Sequence, residues 1–168
     1  MASSNHTPPL WWAIDNELAG MPMPWLDSNR RRNPGSSLEA FDDDLPALWN
    51  AGIRSVISLL NSPNDTQVFE AAGIKHLCVP IQDGGIPAMR DVEKVFKFYR
   101  HCPRATAVHC AAGLGRTGTI IASILIKQGA SFREAVTIVR ASQPAAIETQ
   151  IQMHFLQRFA EDLGRPIS

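Results

Sequence analysis

The chain has 168 residues, 45% hydrophobic and 19% charged, which suits one globular domain with a sizeable core and excludes a disordered chain. Lys plus Arg and Asp plus Glu are both 16, so net charge draws the chain neither to nucleic acid nor to an acidic membrane surface. Cys78, Cys102 and Cys110 are an odd set without paired spacing, which argues against a disulfide framework or a zinc site. No apolar run approaches the ~20 residues of a membrane span. Met1 to Pro9 lacks the basic-then-apolar pattern of a signal peptide, so a reducing cytoplasm is the expected location.

Met1 to Pro9 reads as a flexible tail, and residues 10–168 as one domain. Leu10 to Ile14 and Glu17 to Met21, separated by Asp15-Asn16, predict a short hairpin at a sheet edge. Trp11 and Trp12 read as core or edge packing. Pro22 to Ser37 is a loop whose only charge run is Arg30-Arg31-Arg32, a solvated stretch or a rim for a phosphorylated partner. Leu38 to Asn50 is helical. Ser36-x-x-Glu39 suits a capping box, yet Pro46 predicts that the regular helix starts late, capped by Asp43 or Asp44. The acids Asp42, Asp43 and Asp44 therefore read as cap residues rather than a metal site.

Ile53 to Leu60 predicts a central strand, Thr66 to Ala72 a short helix stopped at Gly73, and Ile74 to Pro80 another strand. Ile81 to Pro87 is a glycine-rich loop carrying one acid, Asp83. Met89 to Tyr99 is a helix with Val92, Val95, Phe96 and Tyr99 on one face. Ser131 to Glu134 forms a capping box for a helix with Phe132, Ala135, Val136 and Val139 inside. A last helix runs from about Thr149 to Leu163, with Ile151, Phe155, Leu156 and Phe159 facing inward. Strands and helices alternate, so the fold class is α/β, a single central sheet flanked by helices.

The most informative stretch is Val108-His109-Cys110-Ala111-Ala112-Gly113-Leu114-Gly115-Arg116-Thr117-Gly118. The apolar run Ala105 to Val108 enters it as a buried strand. A helix apolar nearly all round, about Thr117 to Gln128, leaves it. A strand–loop–helix turn of this kind sets backbone N–H groups from Ala111 to Arg116 at a helix N-terminus, a ready anion site. Gly113 and Gly115 let the backbone close around a tetrahedral oxyanion. Arg116 can hold two of its oxygens bidentately, which a lysine cannot. A cysteine at the floor of such a cradle is favoured as the nucleophilic thiolate. Gly113-x-Gly115-x-x-Gly118 also matches the dinucleotide fingerprint, which wants an acid about 20 positions on. Position 138 is Ile138, inside a helical pattern, and that reading is set aside. The plain alternative for Cys110 is a buried inert thiol.

H-C-x-x-G-x-x-R-T-G resembles the signature of the cysteine-dependent protein tyrosine phosphatases, and A-A-G-L-G-R-T-G is most similar to their small dual-specificity branch. The resemblance covers roughly Trp11 to Leu163. It implies a mixed, mainly parallel sheet of about five strands, and no metal or cofactor. Cys110 would attack phosphorus to give a phosphocysteine, with Ala111, Ala112, Gly113, Leu114, Gly115 and Arg116 holding the equatorial oxygens. Thr117 would hydrogen-bond the departing sulfur, and His109 would orient the loop rather than act as a base. From the residues alone Asp83 is either the general acid or a turn former with Gly84. V-P-I-Q-D-G-G-I-P resembles the general-acid loop of kinase-associated phosphatases, which implies the acid role. Gln152 matches a glutamine that positions water in some relatives, against the reading of an ordinary helix-surface residue.

Phosphoinositide-cleaving relatives often carry lysines inside the loop, where this chain has Ala111 and Leu114. The expected substrate is therefore a phosphorylated protein, at phosphotyrosine and phosphoserine/threonine, acted on by a monomer. The competing readings are a phosphatase of another monoester, such as an inositol phosphate, and a non-catalytic phosphate-binding module. Cys78 is either a small packed residue or a resolving thiol for Cys110.

Overall fold

The structure is a computed structural model and describes residues 9–23, 37–61, 65–102 and 105–167. The tail 1–8, the Arg30-Arg31-Arg32 run with its surroundings, Ser36 of the expected capping box and the Ser62-Pro63 turn lie outside the described residues.

Among the described residues, β1 (Trp11–Ile14), β2 (Leu18–Met21), β3 (Ser55–Ser58), β4 (Lys75–Cys78) and β5 (Thr106–His109) form one sheet in the order β1-β2-β5-β3-β4. β1 pairs antiparallel with β2 as the expected edge hairpin, and the other pairings are parallel. The sheet is thus mixed and mainly parallel, as the resemblance implied. Among the described residues, six helices flank it: α1 (Ser37–Asn50), α2 (Asp65–Ala71), α3 (Met89–His101), α4 (Gly115–Gln128), α5 (Phe132–Ser142) and α6 (Gln150–Asp162).

The central strands β2, β3 and β5 are buried on both faces, and their alternation divides the core in two. Val56 and Ala107 face a cluster with Leu48 of α1 and Phe69 of α2. Ile57 and Val108 face a larger cluster with Val92, Ile120, Ala135 and Leu156 from α3, α4, α5 and α6. α4 lies in the middle of that layer and is buried from Gly115 to Ile126. Its buried hydroxyls bond back along the helix, Thr119 to the Gly115 carbonyl and Ser123 to the Thr119 carbonyl, each at 2.8 Å.

Two expectations are corrected. α1 does not start late: it begins at Ser37 and continues through Pro46, so Asp44 lies inside the helix, 3% exposed, and is not its cap. Proline forgoes one helical hydrogen bond, and the packing of Ala47 and Leu48 beyond it outweighs that loss. On α6, Ile151 does not face inward but is 53% exposed; the inward position beside it belongs to Gln152, which is 0% exposed. Among the described residues, no helix is long and apolar enough to cross a membrane.

Candidate active site

After β3 the chain adds β4 on one side, then returns through α3 to place β5 on the other side of β3. The order of the strands reverses there, and α/β sheets bind ligands outside the carboxyl ends of such strands. Cys110 is the first residue beyond β5, and Ile81 to Pro87 follows β4 along the same edge.

The loop from Cys110 to Leu114 is held from outside, leaving its own donors free. Gly113 has φ 74, and a Cβ there would run into the Met21 carbonyl and the Pro22 nitrogen, so only glycine fits. Met23 N–H donates to the Ala111 carbonyl at 3.2 Å, and the buried Trp11 indole donates to the Gly113 carbonyl at 3.1 Å. Among the described residues, no acceptor takes the backbone N–H groups from Ala111 to Arg116. Helix α4 begins at Gly115, two residues earlier than expected, and its N-cap Leu114 supplies no side-chain acceptor. The first turn therefore keeps unsatisfied donors and the positive end of the helix dipole.

The named side chains converge on this loop. Cys110 is 3% exposed, and Thr117 Oγ1–H donates to its Sγ at 3.1 Å. Arg116 is 7% exposed; its Nη1 donates to the Ile81 carbonyl at 3.0 Å and its Nη2 pairs with Asp83 Oδ1 at 2.8 Å. The Asp83 side chain is otherwise in solvent, so the ion pair sets a carboxyl at the mouth of the site.

Gln152 joins the acid loop to α6. Its Nε2 donates to the Gly85 carbonyl at 3.1 Å, while its Oε1 accepts from Glu148 N–H at 3.0 Å and Thr149 N–H at 3.1 Å. Thr149 Oγ1 donates to the Gly84 carbonyl at 3.1 Å. A Cβ on Gly115 would strike Glu148 and Gln152, which shows how closely α6 approaches the start of α4. Gln152 is not a surface residue.

His109 is fully buried. Its Nδ1 lies 3.2 Å from the Cys110 carbonyl and its Nε2 2.5 Å from Ser58 Oγ. Burial pushes its pKa down to about 4, so the ring is neutral near pH 7. Cys78 donates to the Leu60 carbonyl at 3.2 Å. It pairs in register with Ser58, which pairs with His109 on the other side. Two strand spacings, roughly 10 Å, separate Cys78 from His109, and both Cys78 and Cys110 are free thiols.

Several contributors went unread in the sequence. Thr149-x-x-Gln152 is a capping box, a pattern visible in the sequence, and its two halves also brace the acid loop. Arg140 donates to the Ala146 and Ile147 carbonyls, holding Ile147 at φ 62, a conformation that a β-branched residue rarely adopts. Ile147 N–H reaches the Leu114 carbonyl at 3.4 Å, and Gly118 has no room for a Cβ beside Ala146.

Known proteins resemble this chain in sequence and in fold. Residues 32–130 match the family model described as "Polymorphic toxin system, DSP-PTPase phosphatase". Mouse protein tyrosine phosphatase type IVA 3 is 30% identical over 133 residues, which cover 76% of this chain and 75% of that protein. Mouse dual specificity protein phosphatase CDC14B is 30% identical over 121 residues, 71% of this chain but only 25% of the relative. Among solved structures, the active form of Tk-PTP superposes with a TM-score of 0.68 at 26% identity, covering 92% of this chain and 97% of the other. Kinase associated phosphatase, solved with its catalytic cysteine replaced by serine, gives 0.75 at 20% identity over 96% and 98%, a likeness of fold. The chain belongs to the family of protein tyrosine and dual-specificity phosphatases, which are cysteine-dependent hydrolases.

Proposed function

We propose that this chain is a phosphoprotein phosphatase that cleaves phosphotyrosine and phosphoserine/threonine through a phosphocysteine at Cys110, with residues 10–168 forming the single catalytic domain. The observation that carries this reading is the run of unaccepted backbone N–H groups from Ala111 to Arg116, beside a buried thiol that already receives a hydrogen bond from Thr117. A phosphoryl group fits that arrangement in charge and in donor count.

In the first step the Cys110 sulfur attacks phosphorus and the bond to the leaving oxygen breaks. Asp83, protonated, passes its proton to that oxygen. The Arg116–Asp83 pair keeps the acid within reach, and a phosphate that takes Arg116 Nη2 displaces it toward the leaving group. The backbone donors and Arg116 hold the three equatorial oxygens as charge spreads over them. In the second step water gives a proton to the Asp83 carboxylate and attacks phosphorus. The S–P bond breaks, and the Thr117 hydroxyl hydrogen-bonds the departing thiolate. Gln152 fixes the loop that carries Asp83 and has one amide hydrogen left to orient the attacking water.

The uncharged Ala111 and Leu114 side chains support a phosphoprotein substrate over a multiply anionic headgroup. Mouse protein tyrosine phosphatase type IVA 3 and CDC14B, by their names, act on phosphorylated proteins. Reduced thiols in the cytoplasm would keep Cys110 active. Turnover of phosphotyrosine and phosphothreonine peptides measured beside phosphoinositides tests the substrate class. Preference for the peptides is expected, and phosphoinositide-only turnover would overturn it.

A further inference from the structure

We infer that His76, with Ser58 and Thr66, is a positioning residue for the reactive loop. The three form a one-way hydrogen-bond relay that fixes the tautomer with which His109 holds the Cys110 carbonyl. The inference rests on the reading that this loop is the reaction centre.

The direction of the relay follows from its end. A carbonyl oxygen only accepts, so His109 must donate from Nδ1 to Cys110, at 3.2 Å. A neutral imidazole then has a bare Nε2, and the Ser58 hydroxyl, 2.5 Å away, must donate to it. With its hydrogen committed, Ser58 Oγ accepts from His76 Nε2–H at 2.7 Å. His76 Nδ1 is therefore bare and accepts from Thr66 Oγ1–H at 2.8 Å. Four bonds thus admit one arrangement of protons for neutral rings, and each bond polarises the next. Burial lowers both histidines to about 4, and the Arg116 charge also opposes a cation on His109.

The relay is built from separate elements: Thr66 on α2, His76 on β4, Ser58 on β3 and His109 on β5. The buried Phe69 ring stacks on His76 with centroids 4.8 Å apart and planes 18° from parallel, which sets the imidazole plane. Without the His76 donor, Ser58 is free to turn its hydroxyl away and accept from His109 Nε2–H. His109 would then present a bare Nδ1 to a carbonyl oxygen, a repulsive contact next to the nucleophile. A shift at that peptide misplaces the sulfur relative to the phosphate cradle, and small misplacements of reacting groups cost rate steeply.

Ring-nitrogen chemical shifts of the 15N-labelled full chain at pH 7.5 test the relay directly. We expect His109 protonated at Nδ1 and bare at Nε2, and His76 protonated at Nε2 and bare at Nδ1. The opposite tautomer at His109, or a charged ring, would overturn the proposal. His76→Phe keeps a ring against Phe69 and removes both hydrogen bonds, whereas His76→Gln returns an N–H toward Ser58. His76→Phe should mix the His109 tautomers and lower kcat on an aryl phosphate by on the order of tenfold. His76→Gln should recover most of both signals. Unchanged His109 shifts and unchanged kcat in His76→Phe would also overturn it. Should that variant fail to fold, the wild-type tautomers decide alone. The ring-nitrogen measurement needs no turnover, so failure of the relay and failure of the catalytic reading are told apart.

Discussion

Replacing Gln152 with alanine separates the bracing of the Asp83 loop from the acid chemistry proposed for it. The amide makes three hydrogen bonds, accepting from Glu148 and Thr149 N–H and donating to the Gly85 carbonyl. Each neutral bond contributes about 1 kcal/mol net, so the loss is about 3 kcal/mol. At roughly 2–4 °C per kcal/mol for a chain of this length, the unfolding midpoint should fall by about 6–12 °C. Calorimetry or far-UV circular dichroism at pH 7.5 reads it. The acid loop also loses its tie to α6, although Thr149 still holds the Gly84 carbonyl. Turnover of a phosphothreonine peptide should therefore drop more than turnover of an aryl phosphate with an acidic phenol, which leaves without a proton. A midpoint within a degree of wild type, or equal losses on both substrates, would refute this account of the amide.

Asp83→Asn should cost on the order of 10²–10⁴-fold on a phosphothreonine peptide and far less on an activated aryl phosphate, measured as kcat/KM. Equal losses on the two would leave Asp83 as a turn residue. Arg116→Lys should fail to restore what Arg116→Ala removes, because one ammonium cannot both reach the Ile81 carbonyl and grip two phosphate oxygens; recovery of wild-type kcat/KM by lysine would show that a point charge suffices. Stability should fall as the pH drops from about 6.5 toward about 4, the window between the ordinary histidine value and that of half-buried His76 and buried His109. There the unfolded chain binds the extra protons, with a slope of up to about 1.4 kcal/mol per pH unit for one buried ring. Urea titrations at pH 7.5 and pH 5 check the sign, and equal stabilities would contradict it.

The reactive loop was legible in the sequence because its chemistry is local: cysteine, glycines, arginine and threonine lie within eleven residues between an apolar strand and an apolar helix. The α/β class was legible because apolar strand runs and amphipathic helices alternate along the chain, whereas the mainly parallel order of the sheet came from the family resemblance. The supports were not, because they come from far along the chain. Trp11 reaches Gly113 across 102 positions, and Gln152 reaches Gly85 across 67. The apolar pattern of α6 pointed to Ile151, but the acid loop offered a carbonyl that only a buried donor one residue along can satisfy. Pro46 misled because proline is weighed as a helix breaker, whereas here packing carries the helix past it. His76 gained a role only once the register brought Ser58 between two histidines.

The most direct test of the central claim is capture of the covalent intermediate. The enzyme is mixed with excess phosphopeptide, quenched in acid within a turnover, and mapped by mass spectrometry. One phosphoryl group on Cys110 is expected, absent from Cys110→Ser, which should bind the peptide without turning it over. An unmodified Cys110 during turnover, with Cys110→Ser hydrolysing at the wild-type rate, would contradict the account.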